Sequence, residues 1–213
     1  ESLLSKMEPA AVVTTADNAE SIHQIDDSIV VYCIDDIPAY ANDFWERVDS
    51  ASSGYQIPET RGHERALMLH TSGSTGEPKA VIHSHENFIN VSDLAMISYG
   101  LQADTTYLAV LPLYHCWGVM NLGAVLKIGG EVVLLERWEP EEAIEQIETH
   151  AVDFFAGVPT MYKDLLATPD ADTWTPESLE VSITGGAGVP SELIPNAQEL
   201  LDCPVLNGWG MTE

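Results

Sequence analysis

Thr71-Ser72-Gly73-Ser74-Thr75-Gly76-Glu77-Pro78-Lys79 is the stretch on which the reading of this chain turns. Apolar runs flank it, Ala66–His70 and Ala80–His83, and both read as strands. The nine residues then form the tip of a hairpin. They exceed the usual turn of about two to five residues, and over-long loops in compact domains are often functional. Gly73 and Gly76 allow backbone approaches that a Cβ would forbid. Hydroxyls of Thr71, Ser72, Ser74 and Thr75, with backbone N–H groups, can surround phosphate oxygens, and Lys79 can supply a point charge. Two rival readings exist. One is a flexible Ser/Gly turn. The other is a Walker-type loop, Gly-x-x-x-x-Gly-Lys-Ser/Thr ahead of a helix; the spacing rejects it, because Glu77 and Pro78 separate Gly76 from Lys79 and a strand follows.

Working outward, the 213 residues suffice for a sizeable core. Acidic residues number 34 against 8 basic ones, a net charge of −26. The acids are scattered, so the excess belongs to the whole surface. Such a surface argues against nucleic-acid partners and against anionic membranes. It points to adaptation to high salt, where counterions screen self-repulsion. Cys33, Cys116 and Cys203 are an odd, widely spaced set, which suggests reduced thiols in a cytoplasm. No apolar run approaches the roughly 18 residues of a membrane helix. With no initiator methionine and no signal-peptide pattern, the chain is expected to start inside a longer protein.

Strands are expected at 11–15, 29–34, 106–111, 131–135, 152–156 and 179–184, with another beginning at Val205. Helices are expected at 18–23, 38–48, 85–99, 117–127, 139–149, 159–167 and 191–201. Ser84 suits the N-cap of the third of these, with Phe88, Val91, Leu94 and Ala95 on one face. The alternation implies crossovers and an α/β fold of mainly parallel sheets flanked by helices. Residues 1–50 read as an early βα segment, 51–64 as a connection and 65–213 as the phosphate-loop region. In open α/β sheets ligands sit beyond the carboxyl ends of strands. Three stretches then become candidate walls: Leu111–His115, Thr184–Ala187 and Asn207–Glu213.

Each wall also has a plainer reading. Thr184-Gly185-Gly186-Ala187-Gly188 would let a flat ring lie against backbone, or is only a tight turn. Trp209 offers an aromatic face, Thr212 a hydroxyl and Glu213 a hard oxygen suited to magnesium, though a Thr-Glu pair is commonly just surface. His115 in its apolar run is either a site residue or a hydrogen-bonded core histidine. His83 and His85 have no evident third ligand, so they do not make a metal site.

Taken together, these motifs resemble those of the adenylate-forming superfamily: acyl- and aryl-CoA synthetases, luciferases and peptide-synthetase adenylation domains. Thr71–Lys79 matches its phosphate loop, with Ala80 where glycine is usual. By that resemblance Gly185, Gly186 and Ala187 line adenine, Trp209 stacks on it in place of the commoner Tyr, and Asn207 lies near the base edge, with Gly208 in the same nucleotide-binding segment. Gly210 completes the aromatic-Gly-x-Thr-Glu motif, in which Thr212 contacts phosphate and Glu213 holds Mg²⁺. Tyr114, His115, Trp117 and Gly118 would wall the acid, with His115 gating the carboxylate and Gly118 leaving room for substrate. The implied fold is part of the layered large N-terminal domain of an acyl-CoA synthetase. The implied activity joins a fatty or aryl acid to ATP, forming acyl-AMP and then acyl-CoA, with ATP, Mg²⁺ and CoA as cofactor and substrates. A ribose-binding Tyr-x-x-Gly-Asp and the C-terminal domain with its adenylation lysine are missing, so residues 1–213 alone are expected to be inactive. The alternatives are an amino-acid adenylation domain and a non-catalytic nucleotide-binding fragment. Gly-Met-Thr-Glu and His115 after Pro-Leu-Tyr favour the CoA ligase.

Overall fold

The computed structural model describes residues 4, 7–71, 79–168 and 174–213. Contacts divide the chain into two units, residues 1–60 and 61–213.

The first unit is a small parallel sheet. Strands β1 (Ala11–Thr14), β2 (Val30–Cys33) and β3 (Asn42–Asp43) pair in that order. Helix α1 (Ala16–Ile25) packs on the sheet through Ala19, against Val31 and Cys33. The helix expected over 38–48 is replaced by a turn, β3 and a shorter helix, α2 (Phe44–Asp49). Asp43 explains the difference. Its carboxylate accepts from the backbone N–H groups of Trp45 and Glu46 at 2.8 and 3.0 Å, an N-cap that fixes the start of the helix after it. Pro38 instead opens a turn that the Ala41 N–H closes on the Pro38 carbonyl at 2.9 Å.

In the second unit, β4 (Arg65–His70) and β5 (Ala80–Ser84) form the expected antiparallel hairpin, with Leu67 opposite His83 and His70 opposite Ala80. Helix α3 (His85–Tyr99) follows. Ser84 caps it by accepting from the Asn87 N–H at 3.1 Å. Leu94 is 63% exposed, and Ser92 is buried in its stead. A small hydroxyl suits the close crossing of α3 over α4 (Cys116–Ile128), where Ser92 Oγ reaches the Met120 carbonyl at 3.5 Å.

Five parallel strands make the main sheet: β6 (Thr106–Ala109), β7 (Glu131–Leu134), β8 (Phe154–Gly157), β9 (Val181–Gly185) and β10 (Val205–Gly208). Their order is β10-β9-β8-β6-β7. The other helices are α5 (Pro140–Thr149), α6 (Pro159–Leu166) and α7 (Leu193–Leu201). Every residue of β6 and β8 is buried, as both-face coverage requires. Period-two alternation sorts their side chains. Leu108 and Phe155 join a core with α5, α6 and α7. Tyr107, Ala109, Phe154 and Ala156 join another with α3 and α4. The chain leaves β6 for β7 on one side and returns to β8 on the other, which opens a crevice at the carboxyl ends of the strands.

Candidate active site

Three of these strand ends carry the sequence motifs to one place. The segment after β6 runs through His115 into α4. The turn after β9 holds Gly186, and β10 leads into 209–213. In the β9–β10 register, Asn207 lies beside Thr184 and Gly208 beside Gly185, so two motifs 23 positions apart in sequence become neighbours. Together with α3 they enclose a cavity of about 250 Å³. Its lining includes the polar side chains of His83, Asn87, His115, Thr212 and Glu213 and the apolar ones of Trp117, Met120, Val91 and Tyr99.

His115 is the N-cap of α4: its Nδ1 accepts from the Trp117 N–H at 3.4 Å. An accepting Nδ1 places the proton of the neutral ring on Nε2, available as a donor at the cavity. Gly186 has φ of +76°, a backbone that only glycine adopts readily, and its Cα faces the Trp117 ring. Trp209 lines the cavity yet is 87% exposed, a free aromatic surface of the kind that binds a flat ligand.

Other expected site residues stand elsewhere. Gly118 is buried, and a Cβ there would come within 2.4 Å of the Pro112 carbonyl. It allows α4 to start hard against the preceding turn and does not line the cavity. Tyr114 is 80% exposed and lies outside the lining. Ala187 and Asn207 are exposed and also outside it. Gly185 is buried against the Gly208 carbonyl. Thr71 and Lys79 close the hairpin: the Thr71 N–H donates to the Lys79 carbonyl at 3.0 Å, and the Lys79 N–H to Thr71 Oγ1 at 3.1 Å. Neither lines the cavity. Ser72, Gly73, Ser74, Thr75 and Gly76 lie outside the described residues.

His83 gains a role that its sequence neighbourhood did not suggest. Only 4% exposed on β5, it reaches the Thr212 backbone carbonyl through Nε2 at 2.9 Å and Asn87 through Nδ1 at 2.7 Å. A carbonyl only accepts, so Nε2 carries a hydrogen. Asn87 can turn its amide to donate to a neutral ring or accept from a charged one. The grip on Thr212 therefore survives a change of charge on His83. Through this contact the β4–β5 hairpin holds the segment bearing Glu213. Among the described residues no cluster of three His, Cys, Asp or Glu side chains could hold a metal. Glu213 would serve alone, as suits magnesium, which keeps several waters and takes one or two carboxylates plus substrate phosphates.

A domain of this topology, with nucleotide-type motifs gathered at one sheet end, belongs to a definite class. The chain is a member of the AMP-binding enzyme family, whose pattern matches residues 1–213. It is 30% identical over 156 residues to a long-chain-fatty-acid–CoA ligase of Bacillus subtilis, covering 71% of this chain and 28% of that protein. It is likewise 30% identical over 167 residues to a benzoate–CoA ligase of Thauera aromatica, covering 77% and 32%. The chain thus spans about a third of the curated relatives it matches. Its fold superposes on ATP-bound MatB from Rhodopseudomonas palustris with a TM-score of 0.87 at 24% identity, over 99% of this chain and 42% of that one. The luciferase-like enzyme of the mealworm Zophobas morio gives 0.87 at 21% identity, over 99% and 51%.

Proposed function

We propose that the protein containing this chain activates a carboxylic acid with ATP and passes the acyl group to CoA. A carboxylate oxygen attacks the α-phosphorus, the bond to the β-phosphate breaks, and pyrophosphate leaves. The CoA sulfur then attacks the acyl carbon and AMP leaves. The observation that carries this reading is the single cavity where His115, Gly186 and the Trp209–Glu213 segment converge. Similarity to named acid–CoA ligases favours CoA as the acceptor.

Within that reading, Trp209 and Gly186 hold the adenine, and the His115 Nε2–H orients the carboxylate. The Thr212 hydroxyl meets the phosphate, its segment fixed by His83. Glu213 would hold Mg²⁺, which supplies neutralisation of phosphate charge. Lys79 adds a cation from the base of the hairpin. Positioning and charge stabilisation are the main catalytic needs of such a step. The acidic excess supports a salt-rich cytoplasm as the setting.

Acid-dependent release of pyrophosphate from ATP by the full-length protein is the test. Lys79→Ala should lower that rate by about 10²–10³-fold, the typical cost of one positioned donor, with the melting temperature unchanged. No acid-dependent release across fatty and aromatic acids would overturn the reading.

A further inference from the structure

The three cysteines of the chain are all free thiols, and two of them are inert by their surroundings. Cys33 is fully buried beneath α1. Cys203 is packed into the core, and burial pushes its thiol up to about 11. Neither lines the cavity of the candidate site.

Cys116 does line it, and it has a base beside it. Its Sγ lies 3.7 Å from His115 Nδ1, within hydrogen-bonding reach for sulfur. The Trp117 N–H points at the same Nδ1 from 3.4 Å. It fixes the ring and keeps that nitrogen unprotonated, so Nδ1 is free to take the thiol proton. A nucleophile next to a base that a third group orients is the arrangement that activates a weak nucleophile. Cys116 is also the first residue of α4, a helix of 13 residues, and the positive end of a helix favours thiolate.

What the thiol meets follows from the other nitrogen of the ring. On the acid-activation reading, His115 Nε2–H orients the carboxylate. The carbon that becomes acyl-AMP then sits at one edge of an imidazole whose other edge holds Sγ. An acyl phosphate is a mixed anhydride, and thiolate attack on its acyl carbon is the reaction that CoA performs. Cys116 supplies the same functional group inside the cavity, with no further reagent needed.

Resting on that reading, we propose a second activity: Cys116 accepts the acyl group from acyl-AMP when CoA is absent, forming a thioester on the protein. The thiol proton passes to His115 Nδ1 and Sγ attacks the acyl carbon. The bond from that carbon to the phosphate oxygen breaks, AMP leaves, and the imidazolium gives its proton to water. CoA recovers the acyl group by exchange. Its thiolate attacks the new thioester, and Cys116 leaves as thiolate and is reprotonated. Among the described residues no second cysteine lines the cavity, so the thioester has no neighbouring thiol to pass to before CoA arrives.

Synthetic benzoyl-AMP and palmitoyl-AMP, offered to the full-length protein without CoA, test the thiol directly, because neither needs the activation step. We expect intact mass to show one acyl group per chain, peptide mapping to place it on Cys116, and neutral hydroxylamine to release it. Added CoA should clear the label. Cys116→Ala should abolish it, and Cys203→Ala should leave it unchanged. No thioester on Cys116 from either adenylate, or equal labelling of Cys33, Cys116 and Cys203, would overturn the proposal. Should Cys116→Ala fail to fold, the peptide map of the native protein decides alone. The protein is also given ATP, Mg²⁺ and fatty or aromatic acids in place of the adenylates. A Cys116 thioester from acyl-AMP, with no pyrophosphate release from any acid, would sink the adenylation reading while leaving Cys116 as an acyl acceptor. Acid-dependent pyrophosphate release with no thioester would do the reverse.

Discussion

His83 makes one hydrogen bond whose loss should be felt at the far end of the sequence. The Thr212 carbonyl it holds at 2.9 Å precedes Glu213, so releasing it loosens the peptide that carries Glu213, the carboxylate proposed for Mg²⁺. His83→Leu should cut the rate of pyrophosphate release by roughly 10–100-fold, the scale set by small misplacements of reacting groups, and leave the sheet intact. His83→Gln, which can still donate to the carbonyl, should recover much of the loss. Steady-state rates with circular dichroism on both variants check this; equal rates in the native protein and His83→Leu would remove His83 as a positioning residue. The sequence marked His83 only as one of two nearby histidines. Its partner is 129 residues away, and no local pattern encodes such a contact. Gly118 teaches the converse. Its place in an acid-wall motif was legible, but only the backbone around it reveals a carbonyl 2.4 Å from any Cβ. Gly118→Ala should therefore lower the melting temperature by several degrees before it alters acid preference, as overpacking typically costs about 1–3 kcal/mol. Thermal unfolding decides the matter, and an unshifted midpoint with altered acid preference would return Gly118 to the acid wall.

Elements were the more readable scale, and their packing carries its own expectation. Tyr162 of α6 is buried; its hydroxyl donates to Ser182 Oγ of β9 at 2.6 Å, and Ser182 donates to the Phe155 carbonyl of β8 at 3.0 Å. Burial pushes the hydroxyls of Tyr162 and Tyr107 well above their usual range. A group held protonated in this way contributes stability that is complete below its unfolded value, about pH 10, and is lost as pH rises through the folded value. The domain should thus unfold in alkali above about pH 10. Tyr162→Phe should soften that dependence while costing about 1 kcal/mol at neutral pH. Denaturant titrations at pH 7 and pH 11 would reveal it, and parallel pH profiles for the two proteins would refute it. Most strands and helices of the chain were legible because their apolar periods of two and 3.6 were undisturbed. The exceptions have local causes: the Asp43 cap that delays α2, and the α3–α4 crossing that buries Ser92 and leaves Leu94 out.

For the molecule as a whole, charge is the dominant fact. Against a net charge of −26, a single ion pair between side chains, Lys127 with Asp93, links α3 and α4 among the described residues. Added salt therefore has much repulsion to screen and little attraction to weaken. Molar KCl should raise the melting temperature by several degrees over low salt, and a flat or falling midpoint would defeat the salt-adapted reading. On the proposed function the same surface would oppose polyanionic ATP, and affinity would come from local donors at the hairpin and strand ends.

Sequence alone determined the α/β alternation, the hairpin beneath Thr71–Lys79 and the order of the motifs, because each rests on contacts between near neighbours and on side-chain period. It also determined the charge, which is a sum over residues and needs no fold. Only tertiary structure decided which motif residues share a cavity, that Gly118 serves the backbone, and that His83 grips Thr212. Those facts depend on strand register and helix crossing, where an ångström separates contact from clash, and they join residues that the chain itself keeps far apart.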